Sequence, residues 1–154
     1  MQAQNFLIRL LALIVVACAG FCFPATGQPT SVKKDTTIIL ISDITMQIEI
    51  NQALSDLYNF KFEKAEQQFR WFKLKYKWHP LPYFLLGLSE WWKIMPNTKA
   101  TMYDDKFMAY MDSTIMIAEN LYKKHPEYKI ESAFFLAAAH GFKGRLYSDE
   151  ERKS

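Results

Sequence analysis

The chain has 154 residues, half of them hydrophobic and 16% aromatic, so a sizeable core can form. Its 19 basic side chains face 16 acidic ones, interleaved rather than clustered, so the basic face that a nucleic-acid binder needs to neutralise phosphates is missing. Five glycines and six prolines are too few for the many turns of an all-β fold.

The N-terminus reads as a leader rather than as part of the fold. Met1 to Arg9 carries one positive charge, Leu10 to Phe23 is an apolar or small run, and Pro24-Ala25-Thr26-Gly27 closes it. That is the layout of a secretory signal over residues 1–27, with small Ala25 and Gly27 ahead of a cleavage point at Gln28. The run falls short of the roughly 18 to 20 apolar residues of a spanning helix, and Pro24 breaks it, so no membrane span is expected in the mature form. Both cysteines, Cys18 and Cys22, lie inside this leader. Cleavage at Gln28 leaves a chain without thiols, which excludes disulfides, Cys-zinc sites and Cys nucleophiles. Val15-Val16-Ala17-Cys18 also resembles a bacterial lipoprotein box, in which Cys18 is lipidated and anchors the chain to a membrane.

About 127 residues then remain, the size of one domain. Residues 28–42 form a flexible lead; within it the β-branched Thr36 to Ile41 is either a short extended piece or the approach to a helix capped by Ser42 or Asp43. A first helix is expected over 43–58, with Ile48, Leu54 and Leu57 along one side and Asn59 in the left-handed turn that ends it. A second spans 61–77, where Phe62, Ala65, Phe69, Phe72 and Tyr76 recur at the helical period. His79-Pro80 stops it, because the residue before proline is pushed out of the helical region. A third runs over 81–95, up to Pro96-Asn97. The fourth starts from a capping box, Thr101 with Asp104, and continues to Lys124 with Phe107, Met111, Ile115, Ala118 and Tyr122 on one stripe. A fifth covers 129–143. In 148–154, Ser148-Asp149-Glu150-Glu151 has the spacing of another capping box, with Tyr147 as its staple, and is expected either to start a further helix of a longer array or to be a charged, frayed tail.

One pattern organises these elements. Tyr76-Lys77-Trp78-His79-Pro80 returns as Tyr122-Lys123-Lys124-His125-Pro126, and each copy precedes an aromatic helix start, Tyr83-Phe84-Leu85-Leu86-Gly87 and Phe134-Phe135-Leu136-Ala137-Ala138. Recurrence after about 50 residues marks stacked supersecondary units. The residues resemble the tetratricopeptide repeat: Tyr83-x-x-Leu86-Gly87 fits the first helix of a unit, and Ala65-x-x-x-Phe69 and Ala118-x-x-x-Tyr122 fit second helices, followed by Pro80 and Pro126. Glu90 stands where the family has an aromatic, with Trp91 one place later, and the stretch from Gly87 to Ala118 is longer than a standard unit. The resemblance covers residues 43–147. It implies an all-α, right-handed solenoid of antiparallel helix pairs, about five helices after the signal peptide, of the type exported to bacterial envelopes.

In that family the first helix of a unit lines a concave groove where peptides dock. This makes Phe84, Leu88, Trp91, Trp92 and, on the last helix, His140 the candidate ligand-binding residues, with Glu90, Lys93 and Lys143 setting register. Trp91 and Trp92 point about 100° apart, so at most one faces the groove squarely; the other reading packs both between layers. Trp71 and Trp78 are expected as core and helix-end packing, and His79 and His125 as turn residues. Asp105 and Asp112 share a face but stand about 10 Å apart along it, which suits solvent-facing charges better than a paired-carboxylate site. No metal motif, phosphate loop or activated nucleophile is present, so no catalytic residue, metal or cofactor is expected. The expected role is a non-enzymatic module that binds a protein or peptide, exported to the periplasm or associated with the outer membrane. Two alternatives stand beside it: a lipidated outer-membrane glycan or nutrient binder, and the N-terminal part of a larger enzyme.

Overall fold

The computed structural model describes Leu40 and residues 43–148, all within the unit Thr36–Ser154. The leader with Cys18 and Cys22, most of the lead 28–42 and the charged end after Ser148 lie outside the described residues. Five α-helices carry the rest: α1 (Ile44–Tyr58), α2 (Phe62–Lys75), α3 (Leu81–Ile94), α4 (Asp104–Lys124) and α5 (Lys129–Tyr147). A 3-10 turn, Pro126–Tyr128, leads into α5. The described residues contain no strand.

Asp43 caps α1 as expected, its side chain accepting the Met46 N–H at 2.9 Å. The inward face is Met46, Ala53 and Leu57, while Ile48 is 65% exposed. The expected stripe misplaced Ile48: nine residues are two and a half helical turns, which sets it opposite Leu57. The helix ends in a Schellman arrangement, with Phe60 N–H donating to Leu57 O and Lys61 N–H to Asp56 O. Here too the expectation is off by one residue. Asn59 (φ −92°) uses its side chain to donate to Ser55 O at 2.7 Å, and Phe60 takes the left-handed conformation at φ 59°.

In α2 the predicted stripe holds: Ala65, Phe69 and Phe72 are fully buried, with Phe62 and Tyr76 partly so. Gly87 on α3 admits α4 closely, since a Cβ there would sit 2.4 Å from the Met111 side-chain end. The capping box at Thr101 does not form. Tyr103 is the cap residue, and Asp104 N–H donates to the Thr101 backbone carbonyl at 3.1 Å. Asp104 and Asp105 still occupy the first turn, where the helix dipole favours negative charge. The last helix runs to Tyr147 rather than 143, and Ser148 closes it, its hydroxyl donating to Arg145 O.

The contacts fix how neighbours run. Between α2 and α3, Glu66 meets Lys93 while Lys73 lies over Tyr83; between α3 and α4, Trp91 meets Phe107 while Gly87 meets Met111. Contacts that descend along one helix as they ascend along the other define antiparallel neighbours. Alternate helices touch as well. Phe84 and Trp91 of α3 meet Phe135 and Phe142 of α5 in the same order, which is a parallel contact, and Tyr58 of α1 meets Trp92 of α3.

Candidate binding surfaces

Four of the five candidate groove residues lie on α3, and all four are half-buried among other helices. Phe84 stands edge-on to Phe135 and Phe142, with centroids at 5.6 and 5.8 Å. Trp91 lies between Phe107 (5.6 Å) and Phe142 (5.3 Å), Trp92 against Tyr58 (5.5 Å), and Leu88 against the main core. Edge-to-face rings contribute about 0.5–1.5 kcal/mol beyond their burial, which suits these side chains to joining layers. Phe84 and Trp91 share Phe142; Trp92 points to a different neighbour. His140 is exposed on α5.

The charges expected to set register instead tie helices together. Glu90 is 1% exposed and binds Lys106 of α4 at 2.6 Å and Lys93 at 3.2 Å. Lys93 also reaches Glu66 of α2, which accepts from Ser89 Oγ at 2.8 Å and from Arg70 at 3.0 Å. Burial pushes the Glu66 carboxyl up, but the hydrogen bonds from Lys93 and Ser89 and the Lys93 charge outweigh it and hold the group below its ordinary value. The hydrogen bond to Glu90 raises Lys106. Lys143 pairs with Asp112 of α4.

His79 stands in the turn between α2 and α3, as expected, and is fully buried there, because Trp78, Tyr128 and Phe135 enclose its ring. Its Nδ1 accepts the Leu81 N–H at 3.2 Å, and its Nε2 lies 3.1 Å from Glu131 Oε1. Nothing local in the sequence marks this pair, since Glu131 arrives from α5. His125, in the equivalent turn, stays exposed beside Glu127.

Open clefts remain among the described residues. One, of about 620 Å³, is lined by Trp78, Met116, Ile117, Asn120, Leu121, His125 and Tyr128. Another, of about 700 Å³, lies between α1 and α2. Its wall includes Ile48, Trp71 and the amides of Gln52, Gln67 and Gln68, with Glu49, Asp56 and Lys64 along it. The hydrogen bond from Lys64 holds the Asp56 carboxyl below the usual range. Trp71 and Trp78, expected as packing residues, are 43% and 44% exposed. For Trp71 the signal was present: it sits one residue, about 100°, off the buried stripe that ends in Phe72 and Tyr76.

Among the described residues no three His, Cys, Asp or Glu side chains gather as a metal site, and no helix is long and apolar enough to cross a membrane. No family model, curated protein or solved structure matches the chain.

Proposed function

We propose that this chain is an exported helical-repeat module of the tetratricopeptide kind that binds a protein or peptide in the bacterial cell envelope and performs no chemistry of its own. Antiparallel neighbours combined with parallel alternate helices support a solenoid of stacked pairs. So does the position of the two Tyr-Lys-x-His-Pro copies, each in the turn from a second helix to the next first helix. The observation that carries the binding role is the α1–α2 cleft, which a half-exposed indole, Trp71, lines together with Gln52, Gln67 and Gln68. Indoles anchor interfaces through large apolar area, and amides satisfy the backbone groups of an extended peptide. The binding face therefore moves from the α3 aromatics, which are committed to packing, to this cleft. Panning a displayed random-peptide library against the chain should return a consensus of micromolar affinity, weakened at least tenfold by Trp71→Ala, which is about 1.4 kcal/mol. No consensus, or one indifferent to Trp71→Ala, overturns the proposal.

A second reading rests on the same side chains, because an indole with neighbouring amides and carboxylates also stacks on and hydrogen-bonds a sugar ring. In that case Cys18 supplies a lipid anchor at the outer membrane. Oligosaccharides that quench Trp71 fluorescence where selected peptides do not, together with palmitate incorporation lost in Cys18→Ala, would favour it.

A further inference from the structure

Lysines that are interleaved along the sequence are gathered by the fold at one end of the helices. Lys73-Leu74-Lys75-Tyr76-Lys77-Trp78 alternates charge with apolar bulk through the last turn of α2 and into the turn to α3. Tyr122-Lys123-Lys124-His125 closes α4, and Lys129 opens α5. Because alternate helices run parallel, the α2–α3 and α4–α5 turns lie at the same end, where Trp78 meets Tyr128 with ring centroids 5.4 Å apart. The cleft of about 620 Å³ opens between these turns.

Large apolar side chains stand uncovered here. Leu74 is 81% exposed, Met116 on the cleft wall 66%, Trp78 44% and Tyr122 40%. The carboxylates of this end already have partners. Glu119 pairs with Lys123 and Glu127 with His125, Asp43 and Glu49 act on Lys75, and Glu131 is buried against His79. Lys77, Lys124 and Lys129 are exposed and, among the described residues, pair with no carboxylate; Lys129 rests over the Tyr122 ring at 5.1 Å. Neither the apolar side chains nor these three lysines line the α1–α2 cleft, so this is a second surface, separate from the peptide site.

Charge decides the occupant. A second copy would set lysine against lysine, and the stretch before α1, with Lys33 and Lys34 beside Asp35, carries the same sign. A nucleic acid would use the lysines, but aliphatic Leu74 and Met116 give a base no ring to stack on. An anionic bilayer uses both: lipid phosphates take the ammonium groups, indole and phenol rings sit at headgroup level, and aliphatic side chains enter the acyl boundary. We infer that this end of the molecule docks peripherally on a membrane surface rich in anionic lipid. Leu74, Trp78 and Met116 make the apolar contacts, and Lys77, Lys124 and Lys129 the ionic ones. Lysine suits the task, because its stem lies along apolar surface while the ammonium reaches the phosphate.

Vesicle binding of the full chain tests this, read at the docking end so that the apolar leader cannot mimic it. An environment-sensitive fluorophore is attached at Leu74→Cys or, at the opposite end, at Met102→Cys, each in a Cys18→Ser/Cys22→Ser background; Met102 is exposed in the loop between α3 and α4. On vesicles of equal parts phosphatidylcholine and phosphatidylglycerol, the label at 74 should shift to the blue while the label at 102 stays as in water. Lys77→Gln/Lys124→Gln should weaken that binding about tenfold, and Met116→Ser about threefold. These side chains are exposed, so helicity by circular dichroism and the melting temperature should hold. A label at 74 that stays in water, or that shifts equally on phosphatidylcholine alone, overturns the inference. Equal shifts at 74 and 102 overturn it too, by assigning the binding to the leader. Heparin bound as tightly as the vesicles, with no effect of Met116→Ser, overturns it in favour of a soluble polyanion.

Discussion

His79 shows how a single turn residue can tie two helices, α3 and α5, at one point. With Nδ1 accepting from Leu81 N–H, the neutral ring keeps its proton on Nε2, the nitrogen that faces Glu131. One imidazole therefore satisfies the first turn of α3, meets a buried carboxylate of α5 and fills the space among Trp78, Tyr128 and Phe135. His79→Ala removes all three at once. It should lower stability by about 3 kcal/mol, read as a drop in the urea midpoint at constant slope. His79→Gln, which keeps an acceptor and a donor, should recover part of that loss. Glu90 is a comparable case with charge. Glu90→Ala opens a vacancy and takes the carboxylate partner from half-exposed Lys106, while Lys93 keeps Glu66, and should cost about 2–3 kcal/mol, whereas Glu90→Leu combined with Lys106→Met should come out near neutral, since apolar packing replaces a buried ion pair well. A double variant as unstable as Glu90→Ala would show that the pair, and not the stranded charge, supplies the stability.

At the scale of elements, the helices were legible in sequence because period and punctuation agree: the Phe62 to Tyr76 stripe, the His-Pro stop and Asp43 as cap all sit where pattern puts them. The errors lie where a local signal had a competitor. Thr101 lost the cap because its backbone carbonyl, not its hydroxyl, takes the Asp104 N–H. Asn59 gave the left-handed position to Phe60 because its side chain was spent on Ser55. The candidate groove was less legible, since composition shows which aromatics exist but not which helix covers them; Phe107 and Phe142 claim Trp91 from distant parts of the chain. Glycines separate local from nonlocal causes most cleanly. Gly141→Ala and Gly144→Ala, with open space around them, should each stabilise the chain by about 0.5–1 kcal/mol through helix propensity. Gly87→Ala has the same propensity gain but must displace buried Met111 and crowd Tyr110 at 3.3 Å, so a net loss of about 1–2 kcal/mol is expected. Thermal melts of the three single variants measure the contrast directly, and equal shifts of one sign would remove the distinction.

For the molecule as a whole, the polar links between α2, α3 and α4 set the pH range of stability. Glu66 and Asp56 both sit below their ordinary values of 4.5 and 3.8, so the folded state prefers their charged forms more than the unfolded chain does. Such groups contribute stability above the unfolded value and lose it as pH falls through the lower folded one. Lys106 is the reverse case, raised above 10.5, so its contribution holds below that value and fades as pH climbs through the folded one. The urea midpoint should therefore be level from about pH 6 to about pH 9 and fall once the pH drops below about 4.5. Glu66 is the carboxylate on which to test the acid limb, because Lys93 and Ser89 of α3 and Arg70 of α2 all bind it, whereas Asp56 of α1 is bound by Lys61 and Lys64. Glu66→Gln should lower the neutral plateau by about 1–2 kcal/mol, the worth of hydrogen bonds to a charged group, and flatten the decline below it. The two effects must appear together. A lowered plateau with the acid limb unchanged would mean that Glu66 stabilises by packing, and that other carboxylates carry the pH response.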